Sequence, residues 1–249
     1  ISLISGELNY ENIKDVDFVI EAIYEDLKEK EKIFKTLDSI VKNDTVLATN
    51  TSSLDVNQIA LFSKRPENVI GTHFFSPAHV MKLLEIVRGN LTSKKVLFKT
   101  FSLASQINKT AVISGVCDGF IGNRLIEQYL IQAFFLLEEG CLPQEVDQAI
   151  EEFGFKMGPF KMSDLAGNDI GWDIRKRRYI EKPHIIYSKI PDLICEAGRY
   201  GQKTKKGWYD YELGNRNPLI SNEVNKIILN YSIKNNIKRK KIDKSEIIE

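Results

Sequence analysis

Cysteine is scarce in this chain of 249 residues: Cys117, Cys141 and Cys195 lie far apart, without C-x-x-C spacing. That leaves no framework for a disulfide-stapled domain, and no metal or redox site is expected of them. Each falls in an apolar or helical stretch, the pattern of a buried free thiol in a reducing compartment. Long hydrophobic runs are also missing, since none approaches the roughly 20 residues that a membrane-spanning helix needs. No basic-then-apolar leader opens the chain, and no peroxisomal tripeptide follows KSEIIE at its end. Nor is there an excess of one charge: 35 Lys and Arg stand against 34 Asp and Glu. No global field would draw in nucleic acid, so a phosphate-bearing ligand would have to be held by local contacts. Internal repeats and low-complexity tracts are absent. These absences predict a soluble intracellular protein. The abundance of Ile, Lys and Asn hints at an AT-rich, bacterial genome and favours cytoplasm, with the peroxisome as the alternative.

What is present suits a buried core, with 43% hydrophobic and 10% aromatic residues. From about Asp17 to Phe75 strand-like and helix-like segments alternate. Val16–Ala22 is a short apolar run, Leu27–Val41 has helical spacing with Ile33, Leu37 and Ile40 on one face, and Thr45–Asn50 is strand-like again. Leu54–Phe62 reads as a helix and Val69–Phe75 as a third strand. Leu83–Gly89 and Thr110–Gly115 add two more strands around a helical Ser93–Ile107. Repeating β-α units imply a parallel sheet with helices on its faces. After Gly115 the pattern turns helical: Ile121–Glu139, Pro143–Phe153, Met162–Ile180 and Pro191–Tyr200, then a basic and polar tail. The expected organisation is an α/β domain over 1–115, a helical domain over 116–212, and a polar helical tail or the start of a further domain over 213–249.

In open parallel sheets ligands sit outside the carboxyl ends of the strands. Those ends are unusually polar here: Glu21 and Glu25 after the first strand, Asn50, Thr51, Ser52 and Ser53 after the second, His73 and Ser76 at the third. His73 is either a satisfied core residue or a base open to the crevice. Glu85, among Leu83, Leu84, Ile86 and Val87, would be costly to bury without a partner. A nearby imidazole would resolve that cost, and a His–Glu pair suits proton removal from an alcohol. The alternative is a Glu85 that points to solvent from a bent edge strand. Asn123 sits at the start of a long helix, where it is either a contact to substrate or an ordinary cap.

The segments ATNTSSL, GTHFFSPAHVMKLLEIV, GFIGNRL, FGFKMGPFKMSDLAGNDIGW and GQKTKKGWYDY, in order over roughly residues 15 to 212, together resemble the L-3-hydroxyacyl-CoA dehydrogenase family. The likeness is greatest to the dehydrogenase part of bifunctional enoyl-CoA hydratase/dehydrogenase members. The resemblance implies a Rossmann-like α/β sheet followed by an all-α domain, NAD as cofactor, and oxidation of L-3-hydroxyacyl-CoA to 3-ketoacyl-CoA in fatty acid β-oxidation. It makes His73 the catalytic base and Glu85 its carboxylate. Ser52 becomes a hydroxyl touching substrate and nicotinamide, and Asn123 an amide near the acyl oxygens. On the cofactor side it implies Glu21, Glu25, Lys30, Asn50, Ser52, Ser76 and Lys203, with Ser76 standing where the family often has Asn.

One departure is large: the family's first strand, its G-x-G-x-x-G turn and its ribose-binding acid have no counterpart, and no G-x-G-x-x-G occurs in the sequence. The expectation is an N-terminally truncated module that binds NAD weakly or not at all in isolation, with a bare first strand edge covered by a homodimer, by a partner chain that supplies the missing strands, or by nonspecific association. A competing reading is a catalytically silent remnant that binds acyl-CoA or a partner. A third, a 6-phosphogluconate-type dehydrogenase, gives no reason for the HFFSP and GFIGNR pair.

Overall fold

A computed structural model describes residues 3–249 of the chain. Contacts divide it into two compact units, Ile1–Leu125 and Ile126–Glu249.

The first unit is built on five strands in sequential order: β1 (Phe18–Glu21), β2 (Val46–Thr49), β3 (Val69–Phe74), β4 (Leu83–Arg88) and β5 (Thr110–Gly115). Helix α1 (Leu27–Ile40) links β1 to β2, α2 (Val56–Ala60) precedes β3, and α3 (Lys94–Gln106) links β4 to β5. Side-chain alternation along β2 explains the layering. Leu47 packs with Phe34 and Leu37 of α1 and Ile59 of α2, while Val46 and Ala48 pack on the other face with Ile70, Leu84, Ile86 and Val96. Helix starts follow their caps: Asp26 accepts from the amides of Lys28 and Glu29, and Ser93 accepts from Val96.

The sheet departs from the all-parallel expectation at one place. β1–β2, β2–β3 and β4–β5 are parallel, but β4 runs antiparallel to β3. The eight residues between Phe74 and Leu83 are too few for a parallel crossover, which needs a dozen or more. This reversal sets His73 directly opposite Glu85 in the ladder. β4 is an interior strand, paired on its other side with β5, so the alternative of a solvent-pointing Glu85 on a bent edge strand does not hold.

The second unit is helical, with α4 (Gly122–Glu139) entering it from the first. It continues through α5 (Pro143–Phe153), α6 (Pro159–Ala166), α7 (Asn168–Glu181), α8 (Ile190–Glu196), α9 (Asn222–Lys234) and α10 (Lys244–Ile248), with a two-stranded ribbon of β6 (Tyr209–Asp210) and β7 (Leu219–Ile220). The single helix expected over Met162–Ile180 is two: Gly167 takes φ +105, a conformation that ends α6 and begins α7. The stretch beyond residue 213, expected as a polar helical tail or the start of a further domain, packs into this unit. Val224 and Ile228 of α9 and Ile247 of α10 are buried with Leu137, Phe160 and Trp208 in the core of this unit. Cys141 and Cys195 are buried free thiols as expected, whereas Cys117 is only half-buried.

Two carboxylates order this helical core. Asp164 accepts hydrogen bonds from the amides of Trp208 and Tyr209, the Asn168 amide and the Tyr211 hydroxyl. Asp147 accepts from the amides of Phe160 and Lys161 and from the Tyr209 hydroxyl. Much of the SDLAGN and GWYDY sequence therefore serves packing. Among the described residues no helix is long and apolar enough to cross a membrane.

Candidate active site

Glu85 is wholly buried, and every hydrogen bond it makes is accounted for inside the first unit. Its Oε2 lies 2.6 Å from His73 Nδ1, and its Oε1 accepts from the backbone amides of Ile121 and Gly122 at 2.9 and 2.7 Å. An unpaired carboxylate at this depth would cost several kcal/mol, and three donors offset that cost. The two amide bonds to Oε1 favour the carboxylate form of Glu85, whose Oε2 can only accept, so the proton between the two side chains is assigned to Nδ1. Nε2 of the imidazole then carries a free lone pair. The His73 ring is held between aromatic side chains, with ring centroids 4.6 Å from Phe75 and 5.7 Å from Phe120. The pairing expected from sequence is present; the two amide donors and the aromatic walls were not expected. The glycines of GFIGN were the available signal, since a glycine at a helix start often marks close approach.

Glu25 organises the rim after β2. Its Oε1 accepts from Thr51 Oγ1 at 2.6 Å and from the amides of Ser52 and Ser53 at 2.8 and 3.2 Å. Partial burial works against the charge on Glu25, but the bonds from Thr51, Ser52 and Ser53 and the charge of Lys30 outweigh it. Its carboxyl is held below the usual value. The Ser52 and Ser53 hydroxyls touch Glu25 only loosely, at 3.3 and 3.4 Å. They remain open to another partner. Asn50 ties neighbouring strand ends together, its Oδ1 accepting from the amide of Phe74.

Glu21 and Lys30, which the resemblance makes contacts to the cofactor, lie beneath the rim. Both are buried: Glu21 accepts from Lys30 Nζ at 2.8 Å, Thr49 Oγ1 at 2.7 Å and the amide of Ile23 at 2.7 Å. Lys30 also reaches Glu25 at 3.5 Å. With side chains only 1% exposed, Glu21 and Lys30 form the support beneath Glu25. Ser76 is exposed beyond the end of β3. Asn123 lies in the first turn of α4, half-buried, and its amide makes no side-chain hydrogen bond to the described residues. Lys203 belongs to the second unit, exposed and ion-paired with Asp169.

The donor set of the 50–53 turn is one of hydroxyls and an amide around a fixed carboxylate. It fits the ribose and carboxamide end of a nicotinamide nucleotide. A predominantly parallel sheet thus carries a His–carboxylate pair in its strands and hydroxyls at its rim, a set of groups suited to taking a proton from an alcohol, and a helical part follows it. Comparison with known proteins makes the class specific. Residues 1–117 match the model for the NAD binding domain of 3-hydroxyacyl-CoA dehydrogenase, and residues 119–211 match its C-terminal domain. The peroxisomal bifunctional enzyme of Danio rerio is 45% identical over all of this chain and 36% of its own length. The 3-hydroxybutyryl-CoA dehydrogenase of Clostridioides difficile is 40% identical over 85% of this chain and 76% of its own length. The solved dehydrogenase part of multifunctional enzyme 1 from C. elegans superimposes with a TM-score of 0.71 at 32% identity, covering 96% of this chain and 54% of that one. This chain belongs to the 3-hydroxyacyl-CoA dehydrogenase family. It spans about a third of the length of the bifunctional relatives it matches.

Proposed function

We propose that this chain oxidises the 3-hydroxyl of an L-3-hydroxyacyl-CoA to the ketone in fatty acid β-oxidation, with NAD as cofactor. The observation that carries the reading is the His73–Glu85 pair, whose hydrogen bonds leave Nε2 as a proton acceptor. His73 removes the hydroxyl proton at Nε2, and Glu85 stabilises the imidazolium that results. NAD, when bound, supplies the acceptor for the hydride that leaves carbon 3. Ser52, on the turn fixed by Glu25, and Asn123, at the start of α4, position the substrate oxygens. Glu25, Ser52, Asn50, Ser76 and Lys203 are the proposed contacts to the cofactor, with Glu21 and Lys30 acting through Glu25.

The names of the relatives, peroxisomal and glyoxysomal among them, support a peroxisomal location over a cytoplasmic one. β1 is an outer strand of the sheet, with Ile20 41% exposed. Such an edge favours pairing with a second copy or a partner chain, which sizing over a range of concentrations would detect.

The deciding experiment mixes the purified chain with NADH and acetoacetyl-CoA and follows the loss of NADH absorbance. Turnover that disappears in His73→Ala is expected. Absence of turnover in the unaltered chain, with NADH shown by fluorescence titration to be bound, would favour the silent acyl-CoA-binding reading instead.

A further inference from the structure

We infer that the first turn of α4 is a positioning device for the catalytic pair, and that Gly122 is the residue that makes it possible. The inference rests on the dehydrogenase reading for its activity readout. The turn leading into α4 is strained: Phe120, buried to 1% exposure, has φ +47, which costs a non-glycine residue on the order of 1–3 kcal/mol. Its ring repays that cost by packing with Val56, Val87 and the His73 imidazole. The same turn aims two successive amides, Ile121 and Gly122, at Glu85 Oε1. Two donors on one oxygen fix the carboxylate plane, and the other oxygen is thereby kept on Nδ1 of His73. The helix start thus sets the orientation of a base that lies almost fifty residues earlier in the chain.

Gly122 matters because a side chain at this position would press on the Phe75 ring. A Cβ at this position would stand 2.8 Å from Phe75 Cζ, 3.3 Å from Phe75 Cε1 and 3.6 Å from Glu85 Oε1. Phe75 in turn lies against the His73 ring. An added methyl group must either push the Phe75 ring, which packs against the imidazole, or lift the amide pair away from Glu85. Both displacements reach the base. If the contact were simple helix capping, the same methyl would affect stability alone.

The test uses the full chain. Gly122→Ala is expected to lower kcat by about tenfold to a hundredfold, while KM and the NADH dissociation constant stay within about threefold. Adding Phe75→Leu, which vacates the space the methyl needs, should recover part of the loss. Gly115→Ala is the control, because a Cβ there meets nothing within 4 Å. An independent readout is the His73 Nδ1 proton in NMR spectra, expected strongly downfield in the unaltered chain and shifted upfield in Gly122→Ala. An unshifted Nδ1 proton, or a kcat within about twofold of the unaltered chain, overturns the inference. If the unaltered chain shows no turnover but the Nδ1 proton moves in Gly122→Ala, the positioning relation stands and the proposed activity falls. Should Gly122→Ala fail to fold, amide exchange in the unaltered chain decides: Ile121 and Gly122 should be strongly protected, and exchange at the rate of free amides overturns the inference.

Discussion

His73 and Glu85 face each other across the β3–β4 ladder, Nδ1 to Oε2 at 2.6 Å, because the strand carrying Glu85 runs opposite to the one carrying His73. They stand twelve positions apart in sequence, and the chain between them closes into a reversal that opposes the two side chains. A parallel β4 would have required a longer connection and lost this register.

Replacing Glu85 by Gln should lower kcat by roughly two to four orders of magnitude with little change in KM. A Gln amide presented to His73 Nδ1 moves the imidazole to the wrong tautomer, as in other His–carboxylate pairs. Steady-state kinetics on the variant checks this, and an unchanged kcat would remove the pair from the mechanism.

Glu25→Ala should act on binding rather than on chemistry. Removing the one oxygen shared by Thr51, Ser52 and Ser53 frees the turn. The cost is about 1–2 kcal/mol of preorganisation, or roughly tenfold in the NADH dissociation constant. Fluorescence titration measures it; equal NADH affinity in the two proteins would show that the turn does not contact the cofactor.

The helical unit should lose stability as pH rises through the weakly acidic range. Burial pushes Asp147 up to about 6, against the opposing pull of its bonds from Tyr209, Phe160 and Lys161. The folded chain therefore holds this proton more tightly than the unfolded chain, whose carboxyl titrates near its ordinary value. The stabilisation is complete below about pH 4, declines between about pH 4 and 6, and is lost above, a change of about 3 kcal/mol. Urea unfolding at successive pH values should show that slope in the unaltered protein and a flatter one in Asp147→Asn.

Gly167→Ala should destabilise the same unit by about 2 kcal/mol or more. Its φ of +105 disfavours any side chain, and a Cβ would lie 2.9 Å from Asp169 Oδ1. Thermal unfolding of the variant, expected several degrees lower, is the check.

Periodicity alone marked the five strands and most helices to within two or three residues, since alternation along Val46–Thr49 and caps such as Asp26 and Ser93 act locally. It missed the break at Gly167 because the helical pattern on either side is continuous and only the backbone angle reveals the end of α6. It took the segment beyond residue 213 for a polar helical tail or the start of a further domain because Val224 and Ile228 are sparse in a polar stretch, although four residues apart they form a narrow buried stripe.

The chemistry-bearing residue types, the succession of a sheet unit and a helical unit, and the candidacy of His73 as partner for a buried Glu85 were determined by the sequence itself. Each follows from local pattern or from the need of a buried charge for a partner. Tertiary structure decided which charges serve the rim and which lie beneath it. Lys30 sits on the face of α1 with Phe34 and Leu37, where spacing would put an apolar residue, and it is buried there because Glu21 from β1 meets it. Likewise, only the folded chain brings the Ile121 and Gly122 amides to Glu85, thirty-six and thirty-seven residues away. Backbone amides are identical at every position in a sequence, so only the path of the chain can select the pair that holds a carboxylate.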